Sequence, residues 1–365
     1  MKTLLLLAAP LTLAPATRAF PHAAGLPCLW DRDTLRVEAE GQEALLHTLL
    51  GRFDQFPDEY YEARLARVTK EIASQPGDLS LYDDAGVACD RIGRAKQALA
   101  WMAKKRKALD GLATADTFHE YTYLANLGTF HVHRWLREGR DRTDLADVQR
   151  AHALITKAIE LNPKAHFGRE RYQLLAIEEL LEPQQELEDV LWEISLLTRV
   201  TGKNIHALFS QEELDEAGYS DAVEGVSGLI RLGAAWDSAA IWLALDHALL
   251  AKHDSFLARF ASLRVCEIAK KGKRYHPFNG FSEESQLDQF RATVHSGKLK
   301  ILDAWWKKAR SASDKWRASR NGYLLSRVKL GLHPDTHPDF WSAWKDEHPL
   351  PEMPKKSFLT KLLGG

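Results

Sequence analysis

The sequence predicts an all-α protein, an α-solenoid of helix hairpins with an additional C-terminal helical region. Three observations lead there. Apolar residues recur at helical spacing along most of the 365 residues. The strict alternation of a half-buried strand is nearly absent. Two stretches repeat one pattern of small and apolar residues, each reading as helix, tight turn, helix.

Residues 1–19 read as a signal peptide. Lys2 supplies a positive start, Leu4 to Leu13 an apolar run broken by Pro10, and Thr17-Arg18-Ala19 a small-residue cleavage site. The run is too short to span a bilayer, so the mature chain is expected to be exported, periplasmic or secreted, with no integral span. Three cysteines, Cys28, Cys89 and Cys266, do not make a disulfide framework. Cys89 and Cys266 lie within apolar helical patterns and read as small packed hydrophobes.

Residues 20–56 form an N-terminal segment, with Glu43 to Phe53 helical. Tyr60 to Pro76 follows as a second helix. Residues 57–165 hold the clearest repeats. The stretch Leu79 to Asp110 reads LSLYDDAGVACDRIGRAKQALAWMAKKRKALD. Tyr82, Ala85, Gly86 and Cys89 fall at the spacing W-x2-L-G-x2-Y, and Ala98 and Met102 at A-x3-F. Gly86 and Ala98 are small where two helices cross closely. Asp78 is placed to cap the first helix, and Ile92-Gly93 to close it with a left-handed glycine. A second copy runs from Tyr121 to Pro163. Leu124, Leu127, Gly128 and His131 fill the first helix. Ala151, Ile155, Ala158 and Pro163 fill the second, which ends ITKAIELNP. Thr114 or Asp116 caps the first helix of this copy, and the polar stretch around Arg137 to Gln149 is a loop or short extension between its helices.

These motifs resemble the tetratricopeptide repeat family. The resemblance implies stacked hairpins whose first helices line a concave face. On that face it places Asp83, Val87 and Asp90 of the first copy and Thr122, Ala125, Thr129 and His133 of the second. Asp83 and Val87 stand where some members carry a Lys/Asn clamp for C-terminal carboxylates, which argues against that ligand. Asp83 and Asp90 are expected to face solvent.

Residues 166–238 form an acidic helical region. Glu178 to Leu197 is helical, and Ser210 with Glu213 makes a capping box for the next helix. Residues 239–275 hold a third, weaker copy of the hairpin. Trp242, Leu245, Leu249 and Ala258 match the pattern, but Asp246 stands where the others have glycine. Residues 276–332 are a basic helical region, with one or two helices over Lys298 to Leu330. Residues 333–365 are a Pro-rich, irregular tail.

Charge is balanced over the whole chain, with a net of −1, and polarised within it. Residues 176–224 carry thirteen Asp/Glu against two Lys/Arg, and residues 264–329 carry sixteen Lys/Arg against six Asp/Glu. The overall balance and the export signal argue against a nucleic-acid partner. Five of the eleven tryptophans lie between Trp305 and Trp344, suited either to a binding surface or to gaps between helices.

One polar cluster stands out at the start of the acidic region: His166, Arg169, Glu170 and Tyr172, with Gln173. It reads as a recognition site or as a helix start held by local pairs. His131 and His133 point about 200° apart on a helix and cannot share a metal. His333, Asp335, His337 and Asp339 belong to a proline-punctuated loop. No catalytic residue, metal ligand set or cofactor motif is assigned, since G-x-S-x-G, H-E-x-x-H and P-loop patterns are all missing from the sequence. The expected function is an exported scaffold that holds a protein or peptide. The alternatives are an envelope enzyme built around His166, Arg169 and Glu170, or a structural part of an envelope assembly. Oligomeric state is not encoded in these patterns.

Overall fold

The structure, a computed structural model, describes residues 45–182, 196–201, 210–232, 235–270 and 300–353. The predicted signal peptide, Cys28 and the end of the tail lie outside these residues. Every regular element among the described residues is a helix. In chain order they are α1 (Leu45–Leu50), α2 (Asp58–Ser74), α3 (Leu79–Arg91), α4 (Ala95–Asp110), α5 (Thr117–Arg137) and α6 (Ala146–Leu161). After a 3-10 turn at Ala165–Gly168 come α7 (Arg169–Leu181), α8 (Leu196–Thr201), α9 (Gln211–Glu216) and α10 (Ala222–Arg231). A second 3-10 turn, Ala235–Asp237, precedes α11 (Ala239–Ala251), α12 (Ser255–Lys270) and α13 (Lys300–Val328).

Helix ends follow local chemistry. The Asp78 side chain accepts from the Ser80 N–H at 3.1 Å, and Asp116 from the His119 N–H at 2.9 Å. α3 closes at Gly93, whose φ of 78° lets the Arg94 N–H reach the Cys89 carbonyl at 2.8 Å. Ser210 and Glu213 form the reciprocal capping box ahead of α9. The helix Arg169–Leu181 covers the start of the helical stretch expected over Glu178 to Leu197, most of which lies outside the described residues. Among the described residues the basic region holds one long helix, α13.

Consecutive helices pack as neighbours: α3 on α4, α5 on α6 and α11 on α12. The crossings explain the small residues. A Cβ added to Gly86 would lie 2.9 Å from Met102 Cε and 3.0 Å from Phe130 Cε2. One added to Gly128 would lie 2.9 Å from Ile155 Cδ1. Gly86→Leu and Gly128→Leu are each expected to cost roughly 1–3 kcal/mol by overpacking, read as a lower urea midpoint. Unchanged midpoints for both would remove this account of the crossings. In the third hairpin Asp246 takes the glycine position and Ser262 takes the position of Met102. The smaller serine leaves room for the carboxyl, and its hydroxyl donates to Asp246 Oδ1 at 2.8 Å. Cys89 and Cys266 are buried thiols.

The two ends of the described chain meet. α12 and α13 pack against α1, and α13 also packs against α2. The Arg310 guanidinium donates to the Leu50 carbonyl, Arg320 pairs with Asp54, and Asn321 Nδ2 donates to the Gln55 carbonyl at 3.0 Å. The histidine-aspartate loop of the tail locks onto α2. Asp335 accepts from Arg64 at 2.8 and 2.9 Å and from Arg67 at 2.5 Å, while His333 stacks on Tyr60 with ring centroids 4.6 Å apart. Burial alone would raise the Asp335 pKa, but His333 and Arg64 hold the carboxyl well below the usual range. The tail tryptophans pack inward: Trp341 lies over Arg320 at 3.6 Å, with Trp316 and Trp344 beside it. Trp305 and Trp306 are core residues against Phe260. The tryptophan cluster therefore fills gaps between helices.

Candidate functional site

The seven residues assigned to an open concave face are all buried. Asp83 is 5% exposed, Thr122 and His133 1%, and Val87, Asp90, Ala125 and Thr129 0%. The expectation that Asp83 and Asp90 face solvent is corrected. The reason lies in what the neighbouring helices bring to them. Lys105, from α4, is fully buried and donates to Asp83 Oδ2 at 2.6 Å and to Thr122 Oγ1 at 2.6 Å. Asn126 Nδ2, from α5, donates to Asp83 Oδ1 at 2.9 Å. Two turns further along α3, Asp90 is held by His133 at 2.7 Å and by Arg137 at 2.6 Å, both from α5. A charge buried without such partners would be costly, so these pairs seal α3 against α5.

The electrostatics differ between the two aspartates. Burial pushes Asp83 up and Lys105 down, each opposed by attraction to the other. The three donors that converge on Asp83 suit the ionised pair. For Asp90, burial also acts upward, but His133 and Arg137 overcome it and hold the carboxyl well below its usual range.

The polar cluster after Pro163 joins the same buried row. Gly168 is left-handed, and α7 starts immediately after it. His166 lies in the 3-10 turn, and its side chain is outside the described residues. Arg169 and Glu170 are buried, and the Tyr121 hydroxyl donates to Glu170. Gln173 Nε2 donates to Thr129 Oγ1 at 3.0 Å, and the Tyr172 hydroxyl donates to Asp221 Oδ1 at 2.7 Å. Glu170 and Gln173 thus knit α7 to α5, Tyr172 ties it to the start of α10, and the Arg169 stem lies against Gly228 of α10. They are packing residues among the described elements, and an exposed recognition cluster is not what they form.

The outer side of α5 is different. His131 turns away from His133, as helical spacing requires, and bonds Asp147 at 2.8 Å. On this side α4, α5 and α6 leave an open groove of about 510 Å³. Leu99 and Ala103 come from α4, Tyr123, Leu127, His131 and Arg134 from α5, and Arg150 and Leu154 from α6. The leucines and the tyrosine face supply apolar area. Arg134 is anchored to Asp147 at 2.6 Å, whereas Arg150 is exposed at the rim. Sequence reasoning missed this groove because it assigned binding by analogy to the first-helix face. The apolar residues Leu99, Tyr123, Leu127 and Leu154, on neighbouring helices, were the available signal.

Among the described residues no group of three or more His, Cys, Asp or Glu is placed to hold a metal ion, and no helix is long and apolar enough to cross a membrane. No protein family, curated protein or solved structure matches the chain.

Proposed function

We propose that this chain is an exported scaffold of tetratricopeptide type that holds a protein or peptide partner, and that it performs no chemistry of its own. The observation that carries the reading is the contrast between the two sides of α5. One side is closed by ion pairs that fix the hairpins rigidly, and the other presents a shaped, mixed apolar and cationic groove. Rigid elements flanking an open groove suit binding with little ordering cost. The matching positions of Gly86 with Met102, Gly128 with Ile155 and Asp246 with Ser262 support a repeated hairpin as the building unit. Burial of Arg169 and Glu170 disfavours the enzyme alternative, since those groups are engaged in packing.

The test is a pull-down from an envelope fraction, comparing wild type with Ala103→Glu/Arg150→Glu. Both positions are exposed, so the fold is expected to persist, with circular dichroism as control. Wild type is expected to retain a stoichiometric protein partner, and the variant at least about fivefold less, because a rim charge is reversed and a carboxylate enters the groove. A folded variant that holds the partner at full strength excludes the groove. A bound small molecule in place of a protein excludes the scaffold reading.

A further inference from the structure

One face of α13 points away from the core, with Lys307, Lys308, Ser311 and Lys315 exposed on it. Two adjoining grooves, of about 510 and 490 Å³, run along it and share Lys307, Ser311 and Lys315. These three residues follow one another at successive turns, a stripe about 12 Å long. Lys307, Lys308 and Lys315 are exposed, and none of them makes an ion pair among the described residues.

The carboxylates nearby are mostly spent. Asp314 is taken by Arg310 at 3.1 Å and by Arg317 at 2.9 Å. Glu267 is bound by Arg264 and lies 3.4 Å from Arg310. Glu347, at one edge, is the remaining acid in the lining. Three lysines therefore stand over one uncompensated carboxylate. Small and apolar residues lie between them, Ala312 and Pro349 in one groove and Ala318 with the Trp306 edge in the other. Two turns before Lys308, on the same stripe of the helix, Ile301 is 45% exposed.

We infer that this face of α13 docks an acidic, amphipathic helical segment of a partner protein. Carboxylates spaced one turn apart on such a helix would meet Lys307 and Lys315, and its apolar residues would lie on Ala312, the lysine stems and Ile301. A uniformly charged polyanion fits less well, because Glu347 repels it and the apolar floor offers it nothing. A membrane surface is flat, whereas the first of these grooves is walled on one side by Glu347, His348 and Pro349. The inference rests on the scaffold reading and adds the chemistry of a partner to it.

The probe is a synthetic helical peptide with glutamate at every fourth position and leucines on one flank, measured by fluorescence anisotropy against the full chain. Lys307→Glu/Lys315→Glu is expected to weaken binding about tenfold, and added salt to weaken wild-type binding. Lys329→Glu, exposed but outside the grooves, is expected to change nothing. Should the double reversal fail to fold, Lys307→Gln/Lys315→Gln replaces it, with an expected loss of about threefold. Equal binding by a folded groove variant, no binding by wild type, or tighter binding of polyphosphate or phosphatidylglycerol vesicles than of the peptide overturns the assignment. Failure here with an intact pull-down removes the α13 surface alone. Loss of the pulled-down protein removes the scaffold reading itself.

Discussion

Replacing Lys105 by methionine is expected to cost about 3–5 kcal/mol, the loss that follows when one partner of a buried ion pair is removed. Lys105 is fully buried and is the cation on Asp83, with Thr122 as its second acceptor. Without it, Asp83 keeps only the Asn126 amide and the Thr122 hydroxyl, at 2.9 and 3.2 Å. Those donors do not neutralise a charge. Asp83→Asn/Lys105→Met is expected to recover about half of the loss, because the uncompensated charge goes with its partner. The pH dependence gives an internal check. Burial raises the folded-state pKa of Asp83, and removal of Lys105 takes away the largest opposing effect. A raised folded pKa means stability is kept at low pH and lost as pH rises through that pKa. The Lys105→Met deficit is therefore expected to be smallest in acid and largest above neutrality. The readout is the urea midpoint of both variants across pH. A deficit under about 0.5 kcal/mol at neutral pH would mean that Asp83 is already protonated in the native protein.

The helices and their ends were legible because they depend on local chemistry. Asp78, Asp116 and the Ser210–Glu213 pair act within three residues of themselves, and Gly93 within one turn. Gly86 and Gly128 were legible because a repeated spacing fixes which positions cross. The inner face was misread for a physical reason. Spacing says which way Asp83 and Asp90 point, but it does not say what meets them. Their partners come from other helices, Lys105 on α4 and His133 and Arg137 on α5. A lysine in an otherwise small and apolar row of α4 was the one signal available. Nor does any local pattern link Asp335 to Arg64 and Arg67, which lie at the opposite end of the sequence. That contact packs the irregular, Pro-rich tail against the rest of the fold, which proline content alone does not predict. The packing of α13 against α1 and α2 also joins the two ends of the described chain, a contact that nearest-neighbour stacking of repeats does not produce.

Asp246→Asn is expected to stabilise the protein at about pH 8 and to destabilise it slightly at about pH 4, with a crossover between. Asp246 sits at the crossing of α11 and α12, 7% exposed, with the Ser262 hydroxyl as its partner at 2.8 Å. Burial pushes its pKa up to about 7 against an ordinary 3.8, and the single hydrogen bond from Ser262 offsets little of that. The unfolded chain releases this proton near the ordinary value, whereas the native chain keeps it until about 7. Stability from this group is thus full below the ordinary range and is lost as pH rises through that window, by up to roughly 4 kcal/mol. The adjacent His247 works the other way. Burial lowers its pKa to about 4, so its contribution is lost as pH falls from the ordinary histidine range toward that value. In the wild type the two slopes oppose each other in mildly acidic solution. Asparagine removes the first and leaves the second. Its carbonyl can still accept from Ser262, but its amide is buried without an acceptor, which costs about 1 kcal/mol at every pH. The variant is therefore expected to gain about 2–3 kcal/mol above neutrality, where the wild type carries a buried carboxylate, and to lose about 1 kcal/mol in acid. Urea unfolding of both proteins at the two pH values measures the difference directly. A gap between wild type and variant that does not change with pH would show that Asp246 titrates as an ordinary carboxylate, and the α11–α12 crossing would then have to be hydrated.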